Sequence, residues 1–311
     1  MIRTRRTAAV VVTFNRLGLL QALLERLDQV PGLDEVIVID NASTDGTSQW
    51  LAGLEGAEYD EHRSVPVLGR TLVSNTGGAG GFHDGLALAL ERGADLVWLM
   101  DDDGLPAPAT LGQLLEHDDL DFWGPLVVDE RDPGRLVFPI RLPGGTRVVH
   151  DASSAETAAV GGLLRDIVIP FNGVLVTRDL VEAIGLPRAE YFIWGDDHEY
   201  RLRAEAAGAR IATVVAARVE HPSVGSLGTP MMAGRTTYNH TPSDLKHYCM
   251  ARNNLVNLRE YRGWPHAVAF VAKTLWFYTV TRPRPGRLLL SARAWWAALR
   301  GDFTGHERYL R

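Results

Sequence analysis

Two acidic clusters and one histidine hold most of the chemistry in this sequence. Asp101, Asp102 and Asp103 close the apolar run of "DLVWLMDDDG". Adjacent carboxylates repel one another unless a cation or a set of donors compensates. A run of acids is ordinarily a solvated loop. Directly after a buried strand it instead suits a hard divalent ion with oxygen ligands, and such an ion bridges naturally to a diphosphate. The second cluster is "FIWGDDHEYRLR", where Asp196, Asp197 and Glu199 open a helix-like run behind Trp194. Acids in a first helical turn are favoured by the helix dipole alone; beside a metal site they also suit a general base. His221, in "VEHPSVG", follows a strand and can complete a metal shell with carboxylates, a setting that none of the other nine histidines has.

A glycine-rich run, "SNTGGAGGFHDG" over 74–85, adds a candidate ligand wall. Gly78 and Gly80 begin a dinucleotide fingerprint, but position 83 is His83 where that fingerprint needs glycine. A Walker-type phosphate loop needs a lysine, and the first 245 residues contain none. Two readings stay open: close chain packing around a turn with positive φ, and backbone contact with a sugar nucleotide.

The elements that must position these groups alternate. "AAVVVTF", "DEVIVIDN", "RTLVSN" and "DLVWLMD" read as strands, separated by "LGLLQALLERL", by a helix with its N-cap at Ser43 or Thr44, and by "GLALALERG". Continuous apolar strands between helices predict a mostly parallel sheet covered on both faces. Ligands on such sheets sit beyond the carboxyl ends of the strands. Residues 13–15, 40–43, Asn75 and 101–103 each follow a strand, so four polar clusters converge on one rim. Beyond about 120 the pattern is mixed: "FWGPLVVD", "RLVFPIRL" and "RIATVVAARVEHP" read as strands, and "PFNGVLVTRDLVEAIG" as strand then helix. These boundaries give an α/β catalytic domain over 1–225, a turn-rich mobile loop or hinge over 226–245, and a basic, aromatic helical region over 246–311.

The length of 311 residues, 46% apolar, allows a sizeable core. The single cysteine, Cys249, excludes an intrachain disulfide and a cysteine zinc cluster, and points to a reducing compartment. The apolar part of "MIRTRRTAAVVVTFNR" is too short for a signal peptide, and no stretch approaches the ~18 apolar residues of a membrane span. The net charge of −6 conceals a division: residues 246–311 hold 12 Lys/Arg against 3 Asp/Glu, the remainder 20 against 35. The basic part also holds four of the eight tryptophans. A helical subdomain packed on the core accounts for it. So does an interfacial helix pair on an anionic membrane, with Trp295 and Trp296 at headgroup level beside Arg293 and Arg300. The long apolar stretches argue against nucleic acid.

In order, "TFNR", "DNAST", "DDD", "WGDDHEY" and a late histidine resemble the inverting GT-A glycosyltransferases of family 2, over about 7–225. "NTGGAGGF", "RLVFPIR", "FNGVL" and "EHP" narrow the resemblance to the bacterial galactofuranosyltransferases of cell-wall galactan, and "HYCMARNN" with "WFYTVTRPRPGRL" to the initiating type. The resemblance implies that Thr13, Asn15 and Asp40 hold uridine, with Asn75, Gly78 and Gly80 alongside. It implies that Asp101 and Asp102 serve the diphosphate, and that Asp103, His221 and Asp101 hold Mn2+ or Mg2+. Asp197 is then the base, with Trp194 and Asp196 at the acceptor. The implied donor is UDP-galactofuranose. The implied acceptor is a polyprenyl-diphosphate-linked glycan, met by a peripheral protein on the cytoplasmic face of the membrane. The alternatives are a dTDP-rhamnose-dependent rhamnosyltransferase, a sugar nucleotidyltransferase, disfavoured by the missing lysine, and a non-catalytic membrane scaffold.

Overall fold

A computed structural model describes residues 5–56, 63–225 and 228–310. The first half runs β1 (Thr7–Thr13), α1 (Leu17–Leu27), β2 (Glu35–Asp40), α2 (Thr47–Gly56), β3 (Val67–Thr71), α3 (Gly77–Glu91) and β4 (Leu96–Asp101). Next come β5 (Leu105–Pro106), α4 (Thr110–Leu115), β6 (Phe122–Asp129), β7 (Arg135–Arg141), β8 (Val148–Asp151), α5 (Ala152–Ala158) and β9 (Leu163–Arg165). They are followed by β10 (Asn172–Thr177), α6 (Arg178–Ile184), α7 (Asp196–Ala206) and β11 (Ile211–His221). A hairpin of β12 (Thr229–Met231) and β13 (Thr236–Tyr238) occupies part of the stretch read as a mobile loop. Last are α8 (Asp244–Tyr261), α9 (Trp264–Trp276), a π turn at Phe277–Thr281 and α10 (Pro285–Arg300).

The main sheet has the order β3-β2-β1-β4-β10-β6-β11-β5. Its first four strands are parallel, β10 runs antiparallel to both of its neighbours, and β11 is parallel to β6. Every residue of β1, β2 and β6 is buried, as unbroken apolar runs require when both faces are covered. On one face Leu20, Leu23, Leu24 and Leu27 pack with Trp98 and Trp123; on the other Phe82 and Leu86 pack with Leu99, Phe122 and Tyr200. The two buried indoles are satisfied, Trp98 donating to the Gly173 carbonyl (2.8 Å) and Trp123 to that of Leu114 (2.9 Å).

Register sets the rim. Thr13 pairs with Asp40, Val12 with Asp101, and Asp40 with Thr71, so the carboxyl ends of four strands finish level. One boundary differs from the sequence pattern: α3 begins at Gly77, inside the glycine run. Glycine is a poor helix former by about 1 kcal/mol per residue. Here it lets the helix lie directly on β1: a Cβ at Gly81 would overlap Val12, and one at Gly85 would overlap Val10. The helix after β2 likewise starts later than Ser43 or Thr44, where the Asp45 carboxylate accepts the Thr47 N–H (3.2 Å).

The C-terminal helices join the same body. Leu255, Val256, Ala267 and Ala298 pack with Ala79 of α3 and with Tyr191, and Met231 and Tyr238 of the hairpin pack with Met250, Phe277 and Tyr278. Among the described residues no helix is long and apolar enough to cross a membrane.

Candidate functional site

Asp101 ends β4, and Asp102 and Asp103 turn away from it across the rim. Asp102 is buried; it accepts the Thr13 hydroxyl (2.7 Å) and one Arg16 N–H (2.9 Å). The same Arg16 Nη1 donates to Asp103 (2.9 Å). On its other side Asp103 meets His221 Nε2 at 3.2 Å. The His221 Nδ1 lies 2.7 Å from the Pro222 carbonyl, which can only accept, so Nδ1 carries a proton and Nε2 is the atom presented to Asp103.

The carboxyls titrate differently for physical reasons. Burial, followed by the charges of Asp103, Asp102, Asp196 and Asp197, holds Asp101 well above the usual carboxylate range. Both acidic clusters therefore act on one group, although they are remote in sequence. Burial also raises Asp102, outweighing its bonds to Thr13 and Arg16. In Asp103 burial is outweighed by His221 and Arg16, and its pKa falls. His221 moves oppositely: burial disfavours the imidazolium, but Asp103 outweighs it and the pKa rises.

Asp196 and Asp197 are the first residues of α7. The chain reaches them through Phe192 (φ 65°), Trp194 (φ 71°) and Gly195 (φ 89°), a left-handed entry that turns the helix start toward the rim. Asp196 is buried, and one Asp197 oxygen accepts the His198 N–H (2.6 Å). Burial raises both carboxyls; in Asp196 the Asp197 charge adds to it. Trp194 is half-buried against the cluster formed by Met231, Tyr238 and Phe277. Glu199, a turn further on, is not a dipole partner in water. It is fully buried and bound by Arg203 (2.8 Å), Arg188 (3.4 Å) and the Tyr261 hydroxyl (2.5 Å).

The remaining rim residues hold one another. Asp40 is fully buried; it accepts from Ser43 N–H (3.0 Å) and the Thr71 hydroxyl (3.1 Å). Asn15 (φ 53°) accepts from Thr44 N–H (2.7 Å), while its own N–H donates to Ser43 (2.8 Å). Asn75 accepts the Gly77 N–H (2.7 Å). Gly80 is buried against Thr76, whereas nothing lies within 4 Å of the position a Cβ would take at Gly78. Two residues not singled out in the sequence matter here. Asn41, buried, accepts the Thr76 N–H (2.8 Å) and donates to the Gly77 carbonyl (2.6 Å), tying β2 to the start of α3. Arg16 is the countercharge of the aspartate run. Phe14, 42% exposed, and the fully exposed Val73 give the loops beyond β1 and β3 apolar surface.

Among the described residues no group of three or more His, Cys, Asp or Glu side chains is gathered closely enough to enclose a metal. A partial set is present. Asp103 and His221 face each other, Asp101 lies within electrostatic reach of both, and Arg16 supplies cationic charge at the carboxylates. Carboxylate oxygen with one imidazole nitrogen suits a divalent ion whose other positions a ligand's phosphates fill.

Residues 8–122 match the family model described as glycosyl transferase family 2. The galactofuranosyltransferase GlfT1 of Mycolicibacterium smegmatis is 33% identical over 261 residues, 81% of this chain and 83% of the relative. The undecaprenyl-phosphate mannosyltransferase of Micrococcus luteus is 33% identical over 237 residues, 74% of this chain and 88% of the relative. Among solved structures, the Pyrobaculum calidifontis mannosyltransferase PcManGT, in complex with GDP-Man and Mn2+, superposes with a TM-score of 0.55. It is 18% identical, and the match covers 99% of this chain and 79% of that one. The sheet order, the acidic rim and these relationships together make the chain a GT-A glycosyltransferase that belongs to glycosyl transferase family 2.

Proposed function

We propose that the protein transfers galactofuranose from UDP-galactofuranose to a polyprenyl-diphosphate-linked acceptor, with inversion, in the initiation of cell-wall galactan. The observation that carries this reading is the 3.2 Å pair of Asp103 and His221 at the rim, with both acidic clusters within electrostatic reach of Asp101, in a chain 33% identical to a galactofuranosyltransferase over 81% of its length. The uridine would lie across Thr13, Asn15 and Asp40, with Asn75, Gly78 and Gly80 forming the wall beneath it. Asp101 and Asp102 would face the diphosphate.

Asp197 serves as the base. One of its oxygens accepts the His198 N–H (2.6 Å), and the acceptor hydroxyl would donate to the other. Burial raises its pKa, which strengthens it as a proton acceptor. The acceptor oxygen attacks the anomeric carbon as Asp197 takes its proton; the carbon–oxygen bond to the diphosphate breaks, and UDP leaves on the opposite face. Trp194 and Asp196 border the acceptor. Asp103, His221 and Asp101 would hold Mn2+ or Mg2+, which when bound neutralises charge on the leaving diphosphate.

The C-terminal helices fit the cytoplasmic face of an anionic membrane. Trp264, Val268, Leu275 and Trp276 of α9 and Leu289, Trp296 and Leu299 of α10 are exposed. Arg282, Arg284 and Arg293 are exposed beside them, with no carboxylate partner among the described residues. A cavity of about 410 Å³ is lined by Arg284, Arg287, Arg293, Tyr309 and Asp244; Asp244 pairs with Arg287 (2.9 Å), which leaves Arg284 and Arg293 to meet a lipid phosphate group. A mannosyl donor is the second reading, favoured by the Micrococcus luteus relative at the same identity.

The test offers UDP-galactofuranose, dTDP-rhamnose and GDP-mannose in turn with a prenyl-diphosphate-linked glycan acceptor, with manganese or with chelator. Consumption of UDP-galactofuranose alone, abolished by chelator, is expected. Consumption of another donor alone rejects the substrate assignment.

A further inference from the structure

We infer that Asn253 and Asn257 of helix α8 are positioning residues for Asp197, acting through the loop that delivers it. This inference rests on the reading of Asp197 as the base. The loop is held from outside. The Asn253 carboxamide nitrogen reaches the carbonyls of Tyr191 (3.1 Å), Ile193 (3.3 Å) and Trp194 (2.8 Å). The Asn257 nitrogen donates to the Gly195 carbonyl (2.9 Å), and its oxygen accepts the Tyr191 hydroxyl (2.7 Å). Every carbonyl of 191–195 except that of Phe192 is thus bound by one of two side chains, and Phe192 O accepts the Ala79 N–H of α3 (3.1 Å).

Both asparagines are fully buried, as is Arg252, whose Nε fixes the Asn253 oxygen (2.9 Å) and whose Nη2 donates to Tyr191 O (3.0 Å). Carboxamides suit this position because each donates to carbonyls and accepts an N–H or O–H at once, without adding a charge of its own near Asp196 and Asp197. The loop's own backbone bonds are local, such as Ile193 N–H to Tyr191 O (2.8 Å), while Gly195 has no side chain to cap α7, and Phe192 and Trp194 sit in sparsely populated left-handed conformations. Asp197 is two residues beyond the carbonyl that Asn257 holds, so a shift of Gly195 is carried directly into its carboxylate.

The experiment uses the full chain with Asn257→Ala and Asn253→Ala, each also placed in the Asp197→Asn background. Turnover is read per folded molecule, with circular dichroism giving the folded fraction. Positioning predicts that kcat falls by about tenfold or more while the donor KM stays within about twofold. It also predicts that neither substitution lowers the residual single-turnover rate of Asp197→Asn. Asn257→Ser, which is neutral and whose shorter hydroxyl falls short of the Gly195 carbonyl, is the variant used if alanine prevents folding, and the same fall is expected. Unchanged kcat in the folded variants, or losses that multiply with Asp197→Asn, overturns the inference. Wild-type turnover in Asp197→Asn itself would instead reject the base assignment, and is scored separately.

Discussion

Gly77→Ala is the sharpest test of how the glycine run works. Gly77 has φ +72°, where an L-residue is strained by about 1–2 kcal/mol. A Cβ there would overlap the Phe192 carbonyl oxygen and stand 2.5 Å from its carbon and 2.9 Å from the Phe192 Cγ. Relieving that overlap needs a retreat of roughly 1 Å. The retreat breaks the 3.1 Å bond from Ala79 N–H to Phe192 O, worth about 1 kcal/mol. Together these give a destabilisation of about 2–3 kcal/mol. The displaced loop is the one that carries Asp197, and a misplacement of about 1 Å at a reacting group lowers turnover on the order of a hundredfold. Gly78→Ala is the control: no positive φ, nothing within 4 Å of the new methyl, and stability expected within about 0.5 kcal/mol of wild type. Urea unfolding with steady-state turnover reads both effects. Equal stability in the two variants, with wild-type turnover in Gly77→Ala, would show that the packing of α3 against 192 does not matter.

Asp196→Asn is expected to stabilise the metal-free protein at neutral pH by about 1–3 kcal/mol. Because burial and Asp197 raise the folded pKa of Asp196, its carboxyl contributes fully below its unfolded value near 4 and loses that contribution as pH rises through the folded value. The variant's advantage should therefore vanish in melts below about pH 4 and grow above it; an advantage independent of pH contradicts the assignment. Glu199→Ala strips the anion from Arg203, Arg188 and Tyr261 and should destabilise by about 3–5 kcal/mol in denaturant; a loss below about 1 kcal/mol would deny Glu199 its role in joining α7 to α8. Arg284→Glu with Arg293→Glu should weaken binding to phosphatidylserine vesicles at least tenfold, at about 1 kcal/mol per charge, and leave binding to neutral vesicles unchanged. Equal binding to both vesicle types by the variant and the wild-type protein argues against a membrane face there.

The strands were legible because buried parallel strands announce themselves as unbroken apolar runs: β1, β2, β4, β6 and β11 lie where the sequence predicts them. The rim followed from chain order, since polar residues just past such strands must share an edge. What escaped the sequence depends on partners far along the chain. The glycine run reads as loop because glycine disfavours helix, and only the approach of Gly81 and Gly85 to Val12 and Val10 makes it helical. Nothing in the composition of "HYCMARNN" or the residues after it marks Asn253, Asn257 and Arg252 as buried; they are buried because the carbonyls of 190–195, some sixty residues earlier, accept from them. Glu199 carries the same composition signal as Asp196 and Asp197, and only the arrival of Tyr261 and two arginines separates a buried anchor from its neighbours at the site.

The measurement that bears most directly on the account is galactofuranosyl transfer by Asp197→Asn, compared with wild type at saturating UDP-galactofuranose, lipid-linked acceptor and manganese, alongside UDP affinity. With Asp197 as the base, UDP binding stays within about twofold of wild type and turnover falls on the order of a hundredfold or more. Turnover at the wild-type level with the donor bound normally would contradict it.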